Sequence, residues 1–347
     1  MPKYWNKMMN EKSALIITSI ASPNEALKDY AEKCHKYDVQ FIVIGDSKSP
    51  KDFQLEHCDF YSLEKQKSLS FSLAEITPEK HYSRKNLGYL LAIQNGAELI
   101  IETDDDNIAL PSFWKKSIPE FESYHFVDKS WVNIYSYFTD KKIWPRAFPL
   151  ELVNSESPSL KEARFEKVYC PVQQGLADDN PDVDAVFRLV KELPVKFKHA
   201  PNMAFGRNTW CPFNSQNTRW FKVAFPLLYL PSYCSFRMTD IWRSFIAQRI
   251  CWENNWSILF HKPTVRQERN EHNLMKDFGD EVTGFLSNML IGKKLQELNL
   301  KKGEKYLLEN LITCYELLTG LKLIGEQEMT LVEAWCKDIN SLLLQEH

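Results

Sequence analysis

The chain has 347 residues, 44% of them hydrophobic and 26% charged, enough for one large domain or two smaller ones with real cores. A net charge of −3 excludes a general attraction to nucleic acid or to an anionic membrane. Eight cysteines with no C-x-x-C pair among them exclude a zinc ribbon or a dithiol redox motif, and their scatter suits reduced, buried thiols.

The first predicted element is the apolar run ALIITSI at 14–20, which reads as a buried strand. Ser22-Pro23-Asn24-Glu25 then offers a capping box, with Ser22 as N-cap and Pro23 at the first helical position. The helix that follows carries Leu27, Tyr30, Ala31 and Cys34 on one face. Phe41-Ile42-Val43-Ile44 is the next strand, ending at Gly45-Asp46. Strand, helix and strand make a βαβ unit, which implies an α/β protein with a parallel sheet. The pattern repeats: a helix from about Ser83 carries Leu87, Leu90 and Leu91 and stops at Gly96, and a strand at 99–102 follows. Residues 131–138, WVNIYSYF, alternate well enough for a further strand, and 139–220 reads as long loops rich in Pro, Asn and Asp. Asp240 to Ile250 is a predicted helix with Trp242, Phe245, Ile246 and Ile250 on its buried side. From about 281 the chain turns Leu-, Lys- and Glu-rich and is read as a helical C-terminal region with breaks at Gly303, Gly320 and Gly325.

The most informative feature is the acidic run Glu102-Thr103-Asp104-Asp105-Asp106-Asn107 directly after Leu99-Ile100-Ile101. Ligands of open α/β sheets bind outside the carboxyl ends of the strands, where both this run and Asp46 fall. Alternate side chains of an extended segment share a side, so Asp104 and Asp106 can face one hard divalent cation, Mn²⁺ or Mg²⁺, that bridges to phosphate oxygens. Asp105 points the other way and can serve a ribose or the fold. The alternative for the whole run is an exposed acidic turn. Arg84 and Lys85 open the preceding helix, where they read either as a solvated helix start or, because cations sit poorly with a helix N-terminal dipole, as partners of a diphosphate.

Farther on, Asp178, Asp179, Asp182 and Asp184 form a second acidic cluster after Gln173 and Gln174. It can accept hydrogen bonds from sugar hydroxyls, or Asn180-Pro181 can begin a helix through Val190. Asp240 reads as a helix cap or as an ionised base. Arg243 lies one turn on, and Arg266 and Arg269 can clamp phosphate.

Four separated segments carry a resemblance: YSRKNLGYLLAIQNG at 82–96 with the acidic run after it, QGLADDNPDVDA at 174–185, TDIWRSFIAQR at 239–249 and RQERNEHN at 266–273. Together, over about residues 12–290, they resemble the STELLO-type glycosyltransferase family; the second segment is also similar to plant UDP-arabinopyranose mutases. The resemblance implies a GT-A-like fold, a Rossmann-type mixed sheet flanked by helices with a helical C-terminal region. It implies a nucleotide-sugar half at about 1–110, an acceptor half at about 111–280 and a helical region at 281–347. It also implies a DxD-type metal site at Asp104 and Asp106; His261 and His272 lie in the right part of the chain for a third metal ligand, His261 the one taken here, though a lone histidine is more often packed or at the surface. Asp46, Arg84, Lys85 and Asp105 are implied on the donor side. Gln174, Asp178, Asp179, Asp182, Asp184, Arg243, Arg266, Arg269 and His272 are implied around substrate. In GT-A enzymes an acidic residue opening a helix beside the acceptor supplies the base, which points to Asp240.

The expected activity is metal-dependent transfer of a hexosyl or pentosyl unit from a nucleotide-sugar donor, with a UDP-sugar favoured, to a glycan acceptor in surface-polysaccharide synthesis. The alternatives are a nucleotide-sugar mutase or a non-catalytic scaffold. Plant members of the family are membrane-anchored. Here the N-terminus MPKYWNKMMNEK has no apolar leader, and no apolar run reaches the ~18 residues that span a bilayer. The expectation is therefore a cytoplasmic protein with no integral membrane segment and no nucleic-acid partner.

Overall fold

The predicted βαβ unit forms and sets the frame of the protein, seen in a computed structural model that describes residues 12–268 and 273–344. Strands β1 (Ser13–Thr18) and β2 (Val39–Ile44) pair in parallel, joined by helix α1 (Glu25–Tyr37). Helix α1 buries Leu27, Tyr30, Ala31 and Cys34, the face its spacing predicts. Its N-cap is Asn24, two residues past the predicted Ser22. The Asn24 side chain accepts from Leu27 N at 2.9 Å and donates to Asp105 O at 2.8 Å, so a tertiary contact selects the cap.

Strand β3 (Asp59–Tyr61) extends the sheet beside β2, followed by the short helices α2 (Leu63–Lys67) and α3 (Ser72–Ile76). A 3₁₀ turn at Tyr82–Arg84 leads into α4 (Lys85–Gln94), and β4 (Leu99–Thr103) pairs in parallel with β1. Gly88 lets α4 lie close on the sheet: a Cβ there would stand 2.6 Å from Ile16 Cγ2 and 3.0 Å from Ile44 Cγ1.

The remaining strands are β5 (Asn107–Ala109), β6 (Glu120–Phe126), β7 (Ser130–Trp131), β8 (Arg164–Tyr169), β9 (Val172–Asp178), β10 (Met203–Phe205), β11 (Thr209–Trp210), β12 (Asn217–Phe221) and β13 (Ile258–Gln267). Helix α5 (Ala185–Val190) follows β9, α6 (Thr239–Glu253) precedes β13, and α7 (Leu274–Glu297), α8 (Leu307–Gly320) and α9 (Glu328–Leu344) close the chain. The main sheet runs β3-β2-β1-β4-β12-β9-β13-β10-β6-β8, with β5 on β13. Its first four strands are parallel and β12 is antiparallel to both neighbours. This is the expected class, a Rossmann-type mixed sheet flanked by helices with a helical C-terminal region.

Alternation along β1 divides the core. Leu15 and Ile17 face α1 in one cluster, while Ala14 and Ile16 face α4 and the larger cluster on the opposite side. Helices α8 and α9 share that larger cluster through Leu311, Tyr315 and Trp335. The C-terminal region is thus part of the main core.

Two expectations fail. Of 131–138, only Trp131 is extended, in the two-residue ladder of β7 with β11, and Ile134–Tyr137 is a 3₁₀ turn. The Asn133 side chain accepts from Tyr135 N at 3.1 Å, a local bond that competes with strand pairing. The predicted loops of 139–220 hold five of the strands, β8 to β12, and helix α5. All eight cysteines are free, and among the described residues no helix is long and apolar enough to cross a membrane.

Candidate functional site

The order β3-β2-β1-β4 means that connections leave β1 in opposite directions, and a crevice opens at the carboxyl ends where they part. A cavity of about 470 Å³ lies there. Its walls come from Thr18 to Ile20 after β1, Gly45 to Lys48 after β2, and Asp104 to Asp106 after β4. Ser215 and Gln216 before β12, Asp240 at the start of α6 and Gln267 at the end of β13 complete it.

The three carboxylates of the acidic run are held differently. Asp105 accepts from Ser19 Oγ at 2.5 Å, which ties it to the β1 loop. Asp106 accepts from Gln267 Nε2 at 3.1 Å on both oxygens. Asp104 has Lys85 Nζ 3.4 Å from Oδ1. Its side chain is 40% exposed, but to a recessed cavity rather than to open solvent. That desolvation raises its carboxyl to about 7, against the pull of Lys85 and with the push of Asp106, Asp105 and Asp240. Burial is the main cause of that rise, and crowding among the carboxylates adds to it.

Facing the floor is an assembly that the sequence does not announce. Arg146 donates Nε to Asp182 Oδ1 (2.8 Å) and Nη2 to Asp182 Oδ2 (2.9 Å), while Nη2 also reaches Asp240 Oδ2 (2.9 Å). Asp240 accepts further from Ser215 N (3.1 Å) and from the Tyr82 hydroxyl (3.2 Å). Burial opposes its ionisation, but Arg146 prevails, and the carboxyl is held down at about 2. Asp240 therefore stays charged, as its position at a helix start suggests, but Arg146 makes it a weak base. Arg146 follows Trp144-Pro145 in a stretch read as loop, with no periodic signal to single it out.

Lys48, Lys80, Arg188 and Arg237 bring further positive charge to the cavity wall. His81 and Arg84 line it too, and each buries a polar atom without a hydrogen-bond partner among the described residues, His81 Nε2 and Arg84 Nη2. Ser83 N donates to His81 Nδ1 at 3.1 Å, which leaves Nε2 to carry the ring proton. Burial lowers the His81 pKa to about 4, so the ring is neutral at pH 7. Both atoms are sealed from the cavity itself, so a ligand there would meet other atoms of these two side chains.

Of the residues singled out in the sequence, Asp46, Arg84, Asp104, Asp105, Asp106, Asp182 and Asp240 meet in this cavity. Others do not. Lys85 is fully buried and turns beneath the floor, donating to Thr103 O at 3.1 Å. Arg243 is in the core, where its guanidinium grips Glu102 at 2.7 and 3.0 Å, because the buried carboxylate of β4 needs a counter-charge. Gln174 is buried in β9 and accepts from Asn214 N and the Thr218 hydroxyl. Asp178 accepts from Phe197 N, and Asp179 bridges to Val195, both outside the cavity. Asp184 is the buried N-cap of α5, accepting from Phe187 N at 2.7 Å and Trp144 Nε1 at 2.6 Å, which is the helix-start reading of that cluster. His261 is half-buried in β13 opposite Gly175, with Nδ1 2.9 Å from Lys262 O, and it does not line the cavity. Arg266 pairs with Glu268 at 2.5 Å at the surface. Arg269 and His272 lie outside the described residues.

Among the described residues no group of three or more His, Cys, Asp or Glu side chains could by itself hold a metal ion. Asp104 and Asp106 supply two hard oxygen donors on the floor of the cavity. That donor set fits Mg²⁺ or Mn²⁺ in the form these ions commonly take, one or two carboxylates with the remaining positions filled by water and substrate phosphate.

The family model of the STELLO glycosyltransferases matches residues 237–346, a stretch that takes in helices α6 to α9. Probable glycosyltransferase STELLO1 of Arabidopsis thaliana is 28% identical over 353 residues, covering 94% of this chain and 44% of the relative. Probable glycosyltransferase STELLO2 of the same plant is 27% identical with the same coverage. The chain thus spans less than half the length of these curated relatives. A solved structure described as that of a mycobacterial protein superposes with a TM-score of 0.42 at 9% identity, over 79% of this chain and 74% of that one.

Proposed function

We propose that the chain, which is similar to the STELLO glycosyltransferases, moves a sugar from a nucleotide-sugar donor to a hydroxyl of a glycan acceptor, in surface-polysaccharide synthesis. The observation that carries this reading is the cavity, with its acidic floor at the ends of parallel strands and its arginines and lysines on the wall. A nucleoside diphosphate suits both halves, since its phosphates answer the wall cations and, through a divalent cation, the floor. A UDP-sugar is favoured as donor, on the likeness of residues 174–185 to the UDP-arabinopyranose mutases.

In this reading Asp104 and Asp106 hold Mn²⁺ or Mg²⁺, which when bound supplies charge neutralisation for the departing diphosphate. The chain's own residues do the rest. Ser19 and Asn24 brace the acidic loop from the β1 side and Gln267 from the β13 side. Arg146 fixes Asp182 and Asp240 as one unit opposite the floor, where they orient the acceptor hydroxyls. Asp240 takes the proton of the attacking hydroxyl. Because Arg146 depresses its basicity, that transfer comes late, once bonding to the sugar has made the hydroxyl acidic.

Calorimetric titration with UDP, GDP and CDP, with and without Mn²⁺, tests the reading. The expected result is Mn²⁺-dependent binding of UDP that is lost in Asp104→Ala/Asp106→Ala. Binding that ignores both the ion and the double variant would remove the metal role. Interconversion of a UDP-sugar's ring forms without any acceptor would replace transfer by mutase chemistry.

A further inference from the structure

Helix α7 presents two unlike faces. Inward it is anchored by polar contacts: Glu281 receives Ala185 N at 2.7 Å and pairs with Arg237, and Asn288 receives Trp242 Nε1 at 3.1 Å. Outward, Leu286 is 80% exposed and Met275 65%, with Met289 and Leu290 also exposed. At about 3.6 residues per turn these four fall along one stripe of the helix. Exposed apolar residues scattered singly need no explanation, but four on one stripe of one helix do. Gly279 lies on the same face with open space where a Cβ would stand. Glycine is an unfavourable choice inside an exposed helix, and here it leaves room for close approach.

We propose that this stripe is a self-association surface on which a second copy of the chain packs, α7 against α7, antiparallel about a two-fold axis beside Leu286. The charges flanking the stripe select this occupant and this register. Lys276 and Asp280 lie toward the N-terminal end of α7, and Lys293, Lys294 and Glu297 toward the other. Paired antiparallel about a midpoint between Leu286 and Ser287, Lys276 of one copy faces Glu297 of the other, and Asp280, at the inner edge of the stripe, comes level with Lys294 on the same flank. The two-fold axis repeats each pairing, as an isologous contact requires. A parallel, in-register pairing would set each of these charges against its own kind. Within one copy Glu297 already pairs with Lys294 at 2.7 Å, but on an exposed helix end that contact is easily exchanged.

Sedimentation equilibrium of the full chain over a wide concentration range is the test, with circular dichroism melts to establish that each variant stays folded. The wild-type chain is expected to show a monomer–dimer equilibrium, and Leu286→Glu to leave only monomer. Lys276→Glu and Glu297→Lys are each expected to weaken the dimer roughly tenfold. The double variant Lys276→Glu/Glu297→Lys should return toward wild-type affinity, because the swapped charges again face their opposites. A chain that stays monomeric at every concentration overturns the proposal. So does a dimer indifferent to Leu286→Glu, or a double variant weaker than either single one.

Discussion

Arg146 holds Asp182 and Asp240 on one guanidinium, and all three side chains are largely withdrawn from solvent. Removing the cation leaves two uncompensated carboxylates, a change that typically costs about 3–5 kcal/mol. The sign of the pH effect follows from Asp240. Its carboxyl is lowered on folding from 3.8 to about 2, so it stabilises the fold above its ordinary value, and that stabilisation drains away as pH falls through about 2. Arg146→Ala is therefore expected to lose most of its stability at neutral pH and to unfold at a higher pH on acid titration than the wild-type chain. Urea unfolding at pH 7 and an acid titration by circular dichroism measure the two effects. An unchanged acid midpoint would mean that Arg146 is not what keeps Asp240 ionised. Arg146→Lys should recover only part of the loss, since an ammonium cannot reproduce the forked contact with two carboxylates.

At the scale of elements, the strands and helices that read clearly are those whose apolar pattern answers directly to one packing surface. Helix α1 buries Leu27, Tyr30, Ala31 and Cys34 as its spacing predicts, and β1 alternates between two core clusters. Strand β9 has no such pattern: Gln173 and Gln174 sit inside it, buried, with Gln173 donating to Ile118 O and Gln174 donating to Asn217 O and accepting from Asn214 N. Helix α6 is buried on every side, so its polar residues mark contacts rather than an exposed face. Helix α4 depends on one small residue. Gly88→Ala would set a methyl 2.6 Å from Ile16 Cγ2, and the helix or the β-branched side chain must move. Overpacking of this kind typically costs about 1–3 kcal/mol. A shift of the urea midpoint by that amount, with the slope unchanged, is the expected result; a neutral substitution would show that α4 can lift off the sheet without penalty.

Over the whole molecule, the C-terminal helices decide whether the rest can stand alone. Trp335 is fully buried and donates to Pro226 O at 3.0 Å. Asp338 accepts from Ser72 N and Leu73 N and so caps α3, more than 260 residues earlier in the chain. Glu328 accepts from Ser232 N at 2.9 Å, bracing the segment that leads to α6 and Asp240. A fragment ending at residue 300 is expected to lose cooperative unfolding, because it would expose the face of the main core that α8 and α9 cover. Near-ultraviolet circular dichroism and urea unfolding of that fragment read this out. A fragment with a sharp transition would make the helices a separable appendage after all.

The sequence by itself determined the parallel frame and the place of the acidic run at its edge: an apolar run buried as a strand, an amphipathic helix, and an acidic run at a strand's carboxyl end are all local patterns. Only the tertiary structure decided which charges meet. Arg146 lies 94 residues from Asp240, and Arg243 lies 141 residues from Glu102. Nothing periodic links such partners, because a buried ion pair is selected by desolvation and by which groups the fold brings within reach. The same physics sent Arg243 and Lys85 beneath the cavity and set Arg146 in its wall.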